Sequence, residues 1–432
     1  MDPLMAAIDV AIDRRRDATL SLLADLVRIP STLGNVRPAQ ERLIRHARQI
    51  GLDAVLRDID LEAVAAHPDF APTTWSCAGQ PNLTATLHGL GGGRSIVLNG
   101  HIDVVSAEPA DWWSYDPWGA TIAEGRMYGR GALDMKSGLV AALLAIRSVI
   151  DAGVALKGSV IFESVVEEEC TGNGMLASRL RTGPVDGLVI MEPTNLQTWV
   201  ATPGVVWFDV LVRGKPAYVG RAGESVNAVE TAAAFIGRLK PRAVERLNTA
   251  FAHPAFSGQD RPLTLNVGII GGGDWPSLVP LECHFTCRMS YPIAWSFAQA
   301  RAFVDSLVQE VAAEDPWLAI TPPTVRFGGF RARGWEADTG GTLFRALDRC
   351  HVSAAGEPLG RVAFPGTADA RYIDRAAGEQ AVYYGPSGGN IHAPDEYVDI
   401  ASIVTTARVL ARMIVDWCGI AAGGDNGRGT TT

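Results

Sequence analysis

The sequence predicts an α/β protein whose main domain is interrupted by a smaller α+β domain. In the first half, helical segments alternate with short, nearly all-apolar runs, such as SVIFESVV at 159–166, which are typical of strands covered on both faces by helices. From about residue 202 the order becomes strand, helix, strand, strand, helix, strand. This βαββαβ order is that of a ferredoxin-like unit. A chain of 432 residues suits two domains better than one.

The periodicity gives each element an approximate range. In the main domain, helices are expected at 4–27, 38–50, 138–150, 341–350 and 401–418, and strands at 82–87, 95–98, 159–166 and 187–191. In the inserted domain, strands are expected at 205–214, 263–270, 282–289 and 319–327, and helices at 227–240 and 297–314. The domains are therefore expected to be 1–201 with 329–422, and 202–328. The polar tail 423–432 has no core-forming residues, and we expect it to be disordered.

Charge and composition exclude several kinds of partner. The chain carries 38 basic and 47 acidic side chains, a formal charge of -9, and its longest basic run is the Arg14–Arg16 triplet. This balance argues against nucleic acid as a partner. The first residues lack the pattern of a signal peptide, and no apolar run approaches the roughly 18 residues that span a bilayer. We therefore expect a cytoplasmic protein with no membrane partner.

The six cysteines are scattered through the chain, so free thiols are expected. Cys283 and Cys287 are spaced like half of a zinc site. They lie in the strand-like segment ECHFTCRMS, however, and no second pair accompanies them. Packing within a strand is the favoured interpretation.

A histidine and an aspartate follow directly after a predicted buried strand in NGHIDVV (99–105). Ligands of α/β sheets gather at the carboxyl ends of strands, so His101 can bind a metal ion while Asp103 supports it. Taken alone, the pair fits an ordinary polar strand end equally well.

A glycine-rich loop, GRGALDMKSG (129–138), places Asp134 just before a predicted helix. A helix N-cap and a phosphate loop are the other interpretations of this aspartate. The spacing does not match a P-loop, and the glycines of GLGGG (89–93) precede a strand rather than the helix of a dinucleotide fingerprint.

Further acidic residues follow two more predicted strands. Glu167, Glu168 and Glu169 come after the strand at 159–166, and Glu192 follows the next strand in IMEPT. A run of three carboxylates is usually a solvated surface, but at the end of a buried strand their repulsion is costly without a cation. His392 in GGNIHAPDEYV supplies a second histidine late in the chain.

These segments together resemble the metallopeptidase M20 family of aminoacylases, acetylornithine deacetylases, succinyl-diaminopimelate desuccinylases and carboxypeptidases. The segments GHIDVV, GRGALDMKSG, VVEEECTGNG, MEPT and GPSGGNIHAPDEYV occur in the family's order, and the resemblance covers almost the whole chain. It implies a zinc-peptidase-like catalytic domain with a central mixed sheet flanked by helices. It also implies a lid that serves in dimerisation, and one or two divalent ions of zinc, manganese or cobalt.

The resemblance also implies a role for each residue of these motifs. One ion would be bound by His101, Asp134 and Glu192, and the other by Asp134, Glu169 and His392. Asp103 would support His101, and Glu168 would be the general base that takes a proton from metal-activated water. The implied reaction is hydrolysis of a C–N (amide) bond in a small carboxylate-bearing substrate such as an N-acyl amino acid.

Other positions match substrate-binding elements of the family. Arg371 in GTADARYI matches an arginine that holds the substrate carboxylate, a task suited to its planar fork, although a surface or core arginine is the alternative. Asn266 in TLNVGIIGGG matches a lid asparagine that reaches the substrate. Gly385 and the other glycines of GPSGG (385–389) are expected to let the backbone approach the substrate, with Thr367 in the same neighbourhood.

One position departs from the family. Many dimeric members carry a lid histidine that crosses to the partner's active site, and Tyr218 stands there in this chain. Two alternatives therefore stay open, a hydrolytic deaminase of an aromatic or unusual amino-carboxylic acid and a non-catalytic metal-dependent binding protein. Three tryptophans near the loop of Asp134 are candidates for an aromatic wall of the site, although core packing is the commoner role of tryptophan: Trp112, Trp113 and Trp118.

Overall fold

The computed structural model describes residues 2–373 and 375–421, and the predicted disordered tail at 423–432 lies outside them. The described α-helices are α1 (Pro3–Val27), α2 (Arg37–Gln49), α3 (Leu61–Ala65), α4 (Ser137–Asp151), α5 (Asn173–Thr182), α6 (Ala228–Ala250), α7 (Phe297–Ala312), α8 (Thr342–Ala355) and α9 (Ile400–Cys418). The described strands are β1 (Asp53–Arg57), β2 (Asn82–Leu87), β3 (Ile96–His101), β4 (Thr121–Ala123), β5 (Arg126–Tyr128), β6 (Val160–Val165), β7 (Leu188–Ile190), β8 (Thr198–Thr202), β9 (Gly204–Arg213), β10 (Leu265–Gly272), β11 (Glu282–Tyr291), β12 (Thr324–Ala332), β13 (Trp335–Glu336), β14 (Arg361–Ala363), β15 (Ala381–Tyr383), β16 (Gly388–Gly389) and β17 (Tyr397–Asp399).

A six-stranded mixed sheet forms the centre of the main domain, with the strand order β1-β2-β6-β3-β7-β15. The neighbours β6, β3, β7 and β15 run parallel to one another. Strand β2 is antiparallel to both of its neighbours, β1 and β6. Because the four parallel strands share one direction, their carboxyl ends lie side by side at one edge of the sheet. The predicted α/β architecture with a central mixed sheet is confirmed.

Both faces of the central sheet are covered, as the nearly continuous apolar sequences of its strands predict. Helices α1, α2, α4, α8 and α9 pack on one face and bury side chains such as Leu98 and Phe162. Helix α5 and the small β13-β8-β14 sheet cover the other face around Val97 and Ile190. Helix α4 is buried along almost its whole length because it lies between the sheet and helices α1 and α9.

The inserted domain, which we call the lid, is a four-stranded antiparallel sheet with the order β10-β11-β9-β12. Alternate side chains of β9 and β11, including Phe208 and Phe285, pack beneath helices α6 and α7. The intervening side chains face away from these helices, since successive residues of a strand point to opposite faces. This order and direction of strands confirm the predicted ferredoxin-like unit. The domain boundaries at residues 202 and 328 stay predictions.

Two lid elements differ from their predicted ranges. Helix α6 continues past Pro241 to Ala250, so the proline lies inside the helix rather than ending it at residue 240. Strand β12 begins at Thr324, after Pro322 and Pro323, and not at residue 319. Proline has no N–H for a strand ladder, which accounts for the later start.

The six cysteines are free and buried, as expected. Cys283 and Cys287 pack into the core of the lid from strand β11, which confirms the packed-strand interpretation over a zinc site. Among the described helices, none combines the length and the apolar character that crossing a membrane requires.

Candidate functional site

The predicted metal-ligating residues converge at the carboxyl edge of the central sheet. His101 is the last residue of β3, Glu168 and Glu169 follow β6, and Glu192 follows β7. These three strands are adjacent in the sheet, so the chain direction alone brings their final side chains together. Asp134 and His392 come from loops, the first before α4 and the second between β16 and β17.

Asp134 lies between the two histidines. One of its carboxylate oxygens is 3.1 Å from Nε2 of His101, and the other is 3.3 Å from Nε2 of His392. Nε2 of His392 is also 3.1 Å from a carboxylate oxygen of Glu169, and Nε2 of His101 is 4.0 Å from a carboxylate oxygen of Glu192. The two histidines therefore point their Nε2 atoms at a common carboxylate from opposite sides.

The other ring nitrogen of His101 is occupied. Nδ1 donates a hydrogen bond of 2.8 Å to the backbone carbonyl oxygen of Asp103, which leaves Nε2 unprotonated in the neutral ring and available as a ligand. The carboxylate of Asp103 serves a different segment, since it accepts hydrogen bonds from the backbone N–H groups of Glu168 and Glu169. Asp103 thus supports three predicted site residues.

The three consecutive glutamates diverge. Glu167 is buried, and its carboxylate accepts hydrogen bonds from the Trp75 indole and the Thr171 hydroxyl. Its backbone adopts a left-handed conformation with φ of 63°. Glu168 and Glu169 line the cleft, so Glu167 anchors the turn that presents them.

A buried glutamate that the sequence analysis did not single out holds the loop of Asp134. The carboxylate of Glu396 accepts hydrogen bonds from the backbone N–H groups of Gly131, Leu133 and Asp134, and from the Arg130 guanidinium at 2.6 Å. Glu396 is 0% exposed, so these charge-assisted bonds form away from water. It follows His392 by four residues, and one short segment therefore supplies both a candidate ligand and the support of another.

The electrostatics of the cluster favour a cation. Burial raises the pKa of Glu168 and of Glu192 well above the ordinary value for a carboxyl group. Burial alone would lower the pKa of His101 and of His392. The charges and hydrogen bonds of the adjacent carboxylates outweigh this effect, so that the pKa of His101 is raised well above its ordinary value and the pKa of His392 is raised to about 11. Protons therefore compensate the negative charge in the protein alone, and a metal ion binding here would displace them.

The donor set fits a divalent ion. Ligand atoms of His101, Asp134 and Glu169 lie within 4.8 Å of one another, and so do those of His101, Glu168 and Glu192. Imidazole nitrogens with carboxylate oxygens suit zinc, manganese and cobalt. Such a set differs from the thiolate-rich donors of a closed structural zinc site.

The cluster opens into a cleft of about 460 Å³ between the main domain and the lid. Besides the candidate ligands and Glu168, its lining is mostly apolar and aromatic: Val105, Pro193, Trp199, Trp207, Phe330, Phe364, Gly366 and Ile391, with Thr367 and Arg288 as polar members. The guanidinium of Arg288 forms no ion pair or hydrogen bond with any residue that the structure describes. Burial lowers its pKa from the ordinary arginine value.

The predicted substrate-binding residues differ in where they lie. Thr367 lines the cleft, and its hydroxyl has no hydrogen-bond partner among the described residues. A Cβ at Gly385 would meet the carbonyl oxygen of Glu192 at 2.2 Å, so a glycine is required where this backbone passes Glu192, and the predicted approach to substrate stays a prediction. Asn266 on β10 pairs with Arg288 in the lid sheet but is not itself part of the cleft lining.

Arg371 lies outside the cleft lining. It is 2% exposed, and its Nη2 atom is 3.3 Å from Asp369 and donates to the carbonyl oxygen of Thr171. Its guanidinium also stacks over the ring of Phe330 at 4.9 Å. These contacts make Arg371 a buried support behind the cleft wall, and its predicted contact with substrate stays a prediction.

Tyr218 lies far out on the lid. Its side chain is 76% exposed, and its backbone pairs with Leu278 rather than with any residue of the metal cluster. Of the three tryptophans near the loop of Asp134, Trp112 is 70% exposed and Trp113 donates its indole N–H to the carbonyl oxygen of Ala107. None of the three lines the cleft, whose aromatic wall is formed by other residues.

Sequence reasoning missed three features of the site, namely the aromatic wall, Arg288 and Glu396. The aromatic wall and Arg288 come from strands whose apolar pattern equally fits ordinary core packing. A charged residue in the apolar strand ECHFTCRMS was the available signal for Arg288. Glu396 carried no signal, because a loop carboxylate is usually solvated.

Comparisons with known proteins identify related sequences and folds. The model of the family described as Peptidase family M20/M25/M40 matches residues 97–416. The N-formyl-4-amino-5-aminomethyl-2-methylpyrimidine deformylase of Halalkalibacterium halodurans is 25% identical, and the alignment covers 94% of this chain and 96% of that protein. The succinyl-diaminopimelate desuccinylase of Cereibacter sphaeroides is 29% identical, with 92% and 98% covered.

Among solved structures, the di-peptidase Dug1p of Saccharomyces cerevisiae has the same fold. It superposes with a TM-score of 0.79 at 15% identity, covering 96% of this chain and 98% of that one. The match extends across the main domain and the lid.

Replacing Glu396 tests its role in positioning Asp134. We expect Glu396→Gln to weaken metal binding by about tenfold to a hundredfold, because the loop of Asp134 loses its charged anchor. Competition with a chromophoric chelator measures the affinity. Asp399→Asn is the matched control, since this exposed carboxylate on the same segment pairs only with Arg126 on the surface. An affinity equal to that of the parent protein in a folded Glu396→Gln variant would contradict the assignment.

Proposed function

Because the chain belongs to peptidase family M20/M25/M40, we propose that it is a metal-dependent amidohydrolase that removes an acyl group from a small carboxylate-bearing substrate such as an N-acyl amino acid. The observation that carries the proposal is the cluster of two histidines and four carboxylates at the base of an apolar cleft. The names of the deformylase and the desuccinylase support an acyl–nitrogen bond as the target. The cleft's size suits a small molecule rather than a folded protein.

We assign His101, Asp134 and Glu192 to one divalent ion, and Asp134, Glu169 and His392 to a second. Asp134 has one carboxylate oxygen towards each histidine, which supports its assignment to both ions. Bound divalent ions lower the pKa of water and polarise the scissile carbonyl. Zinc, manganese and cobalt all suit the site.

Glu168 is the proposed general base. Its carboxylate lies in the cleft beside the ligand set, while Asp103 holds its backbone N–H. It takes a proton from the attacking water and transfers that proton to the leaving nitrogen, so the products are a carboxylic acid and an amine. The apolar lining around it excludes bulk water from this proton transfer.

Arg288 is the proposed anchor for the substrate carboxylate. It is the one cationic side chain of lysine or arginine type in the described cleft lining, and it has no partner among the described residues. A half-buried, unpaired guanidinium is well suited to a bidentate carboxylate contact. Asn266 is its neighbour across β10 and β11, so a role in the same contact is proposed for it.

We further propose that the enzyme is a homodimer formed through the lid. Strand β10 is an edge of the lid sheet, and it exposes Ile269 and Ile270, at 60% and 53%. Leu278 and Tyr218, which pair with each other on the lid, add two more exposed apolar side chains. An exposed, apolar edge strand favours pairing with another strand.

We also propose a cytoplasmic location. The six cysteines form no disulfide, which supports a reducing environment.

Glu168→Gln tests the catalytic assignment. We expect this variant to bind metal like the parent and to lose activity by about 10²- to 10⁴-fold, because the proton acceptor is gone but the ligand set is intact. Metal content and release of the acid and amine from N-formyl and N-acetyl amino acids are the measurements. Full activity in the variant would contradict the role of Glu168. Release of ammonia from a free aromatic or unusual amino-carboxylic acid, with no hydrolysis of the N-acyl compounds, would favour the deaminase alternative.

Arg288→Ala tests the anchor. We expect KM for N-acyl amino acids to rise by roughly tenfold to a hundredfold, because a hydrogen-bonded charge is lost, with a smaller change for the corresponding amides that lack the carboxylate. Arg326→Ala is the control, since Arg326 is an exposed arginine of the same lid sheet outside the cleft lining. Equal effects on acids and amides would count against a carboxylate contact.

The lid dimer is tested by Ile270→Lys. Light scattering of the parent protein should give twice the chain mass, and the variant should be monomeric at the same concentration because the buried edge gains a charge. Ile320→Lys changes another lid isoleucine, 75% exposed and outside the β10 edge, and should remain dimeric. A monomeric parent protein would refute the dimer.

A further inference from the structure

We propose that the part of the substrate joined to the scissile amide carries a flat aromatic ring, held between one aromatic pair of the main domain and one of the lid. This inference rests on the proposed deacylase function and narrows its substrate class. The pairs are Trp199 with Phe364, and Trp207 with Phe330, and the four rings line the cleft that contains the metal cluster.

The main-domain pair is a rigid platform. The rings of Trp199 and Phe364 stack with their centroids 3.8 Å apart and their planes 7° apart. Trp199 is 5% exposed and packs from behind against Tyr383 of the central sheet, at 5.0 Å. Phe364 is half-buried. A buried ring therefore supports a second ring whose remaining accessible surface belongs to the cleft lining.

The lid pair likewise combines a buried ring with a half-buried one, although its planes are tilted by 33°. Phe330 is 6% exposed and lies 5.9 Å from Trp207, with Arg371 stacked on it at 4.9 Å. Trp207 is half-buried, and it lies on the face of β9 opposite Phe208, which packs under the lid helices. Side chains that only filled the lid core would share the face of Phe208. The indole of Trp207 is instead presented to the cleft.

Strand register places the aromatic surface beside the proposed anchor. Trp207 pairs directly with Arg288 across β9 and β11, and directly opposed residues of an antiparallel pair lie on the same face of the sheet. The lid therefore presents an indole and an unpaired guanidinium as neighbours. A substrate that satisfies both carries its ring a few bonds from its carboxylate, as N-acyl derivatives of aromatic amino acids do.

The same lining disfavours substrates with a second ammonium group. Every acidic residue of the described cleft lining, namely Asp134, Glu168, Glu169 and Glu192, belongs to the metal cluster or is its base. An aliphatic diamino acid would therefore leave its distal ammonium group against aromatic and aliphatic side chains without a free carboxylate. Burying an unpaired charge there is costly.

The test compares rings of equal size with and without π-electrons. The metal-loaded, full-length protein is assayed with N-acetyl and N-formyl derivatives of phenylalanine, cyclohexylalanine and ornithine. We expect kcat/KM for phenylalanine derivatives to exceed that for cyclohexylalanine derivatives by about threefold to tenfold, since aromatic pairing adds to area burial, and ornithine derivatives to be slower still. Equal or reversed rates for phenylalanine and cyclohexylalanine derivatives would overturn the proposal.

Variants connect the preference to the lid pair. Trp207→Leu should abolish the preference for phenylalanine over cyclohexylalanine, and Trp207→Phe should retain most of it. Trp112→Leu, which changes an exposed tryptophan outside the cleft lining, should leave the ratio as in the parent. Retention of the full preference in a folded Trp207→Leu variant would contradict the assigned position of the ring.

A binding measurement separates this inference from the proposed function. Quenching of tryptophan fluorescence by N-acetylphenylalanine and N-acetylcyclohexylalanine is titrated with Glu168→Gln, which binds without turnover. Tighter binding of the aromatic ligand, reduced in the Trp207→Leu background, supports the aromatic site even if the parent protein hydrolyses no N-acyl amino acid. Equal binding of the two ligands overturns the aromatic site even if both are hydrolysed by the parent.

Discussion

Concentrating carboxylates at the end of a sheet costs free energy unless positive charge compensates them. Asp134, Glu168, Glu169 and Glu192 meet within a few ångströms of His101, and burial raises the pKa of Glu168 and of Glu192 well above the ordinary carboxyl value. The fold accepts this cost because four parallel strands end at the same edge. A divalent cation is the natural compensation, and the geometry of the main domain is arranged around that requirement.

Hydrogen bonds to backbone N–H groups keep the cluster in place before any ion binds. Asp103 holds the turn of Glu168 and Glu169, Glu396 holds the loop of Asp134, and the carbonyl of Asp103 sets the tautomer of His101. Each support is a buried acceptor satisfied by donors from a neighbouring segment. Ligands that lie on loops thereby gain the fixed positions that strand residues have by default.

The sequence was sufficient to group those site residues that follow a buried strand, because the direction of the strand then determines where the residue lies. His101, Glu169 and Glu192 could be grouped on that basis, and the βαββαβ order predicted the lid. Residues that depend on how two domains or two distant loops meet could not be placed. Arg371 illustrates this limit, since nothing in its motif indicated that Asp369 and Phe330 contact its guanidinium. Arg288 and Trp207 become neighbours only through strand pairing, which the sequence pattern does not reveal.

The two halves of the site carry different parts of the chemistry. The main domain supplies the proposed metal ligands and the proposed base Glu168, together with Trp199 and Phe364 of the cleft wall. The lid supplies Arg288, Trp207 and Phe330, which line the cleft and lie outside the core beneath α6 and α7. Substitutions on the open face of the lid sheet can change the cleft without disturbing the packing beneath α6 and α7. The lid's share of the proposed substrate contacts is therefore separable from the proposed metal ligands and from the lid core, because Arg288, Trp207 and Phe330 belong to neither.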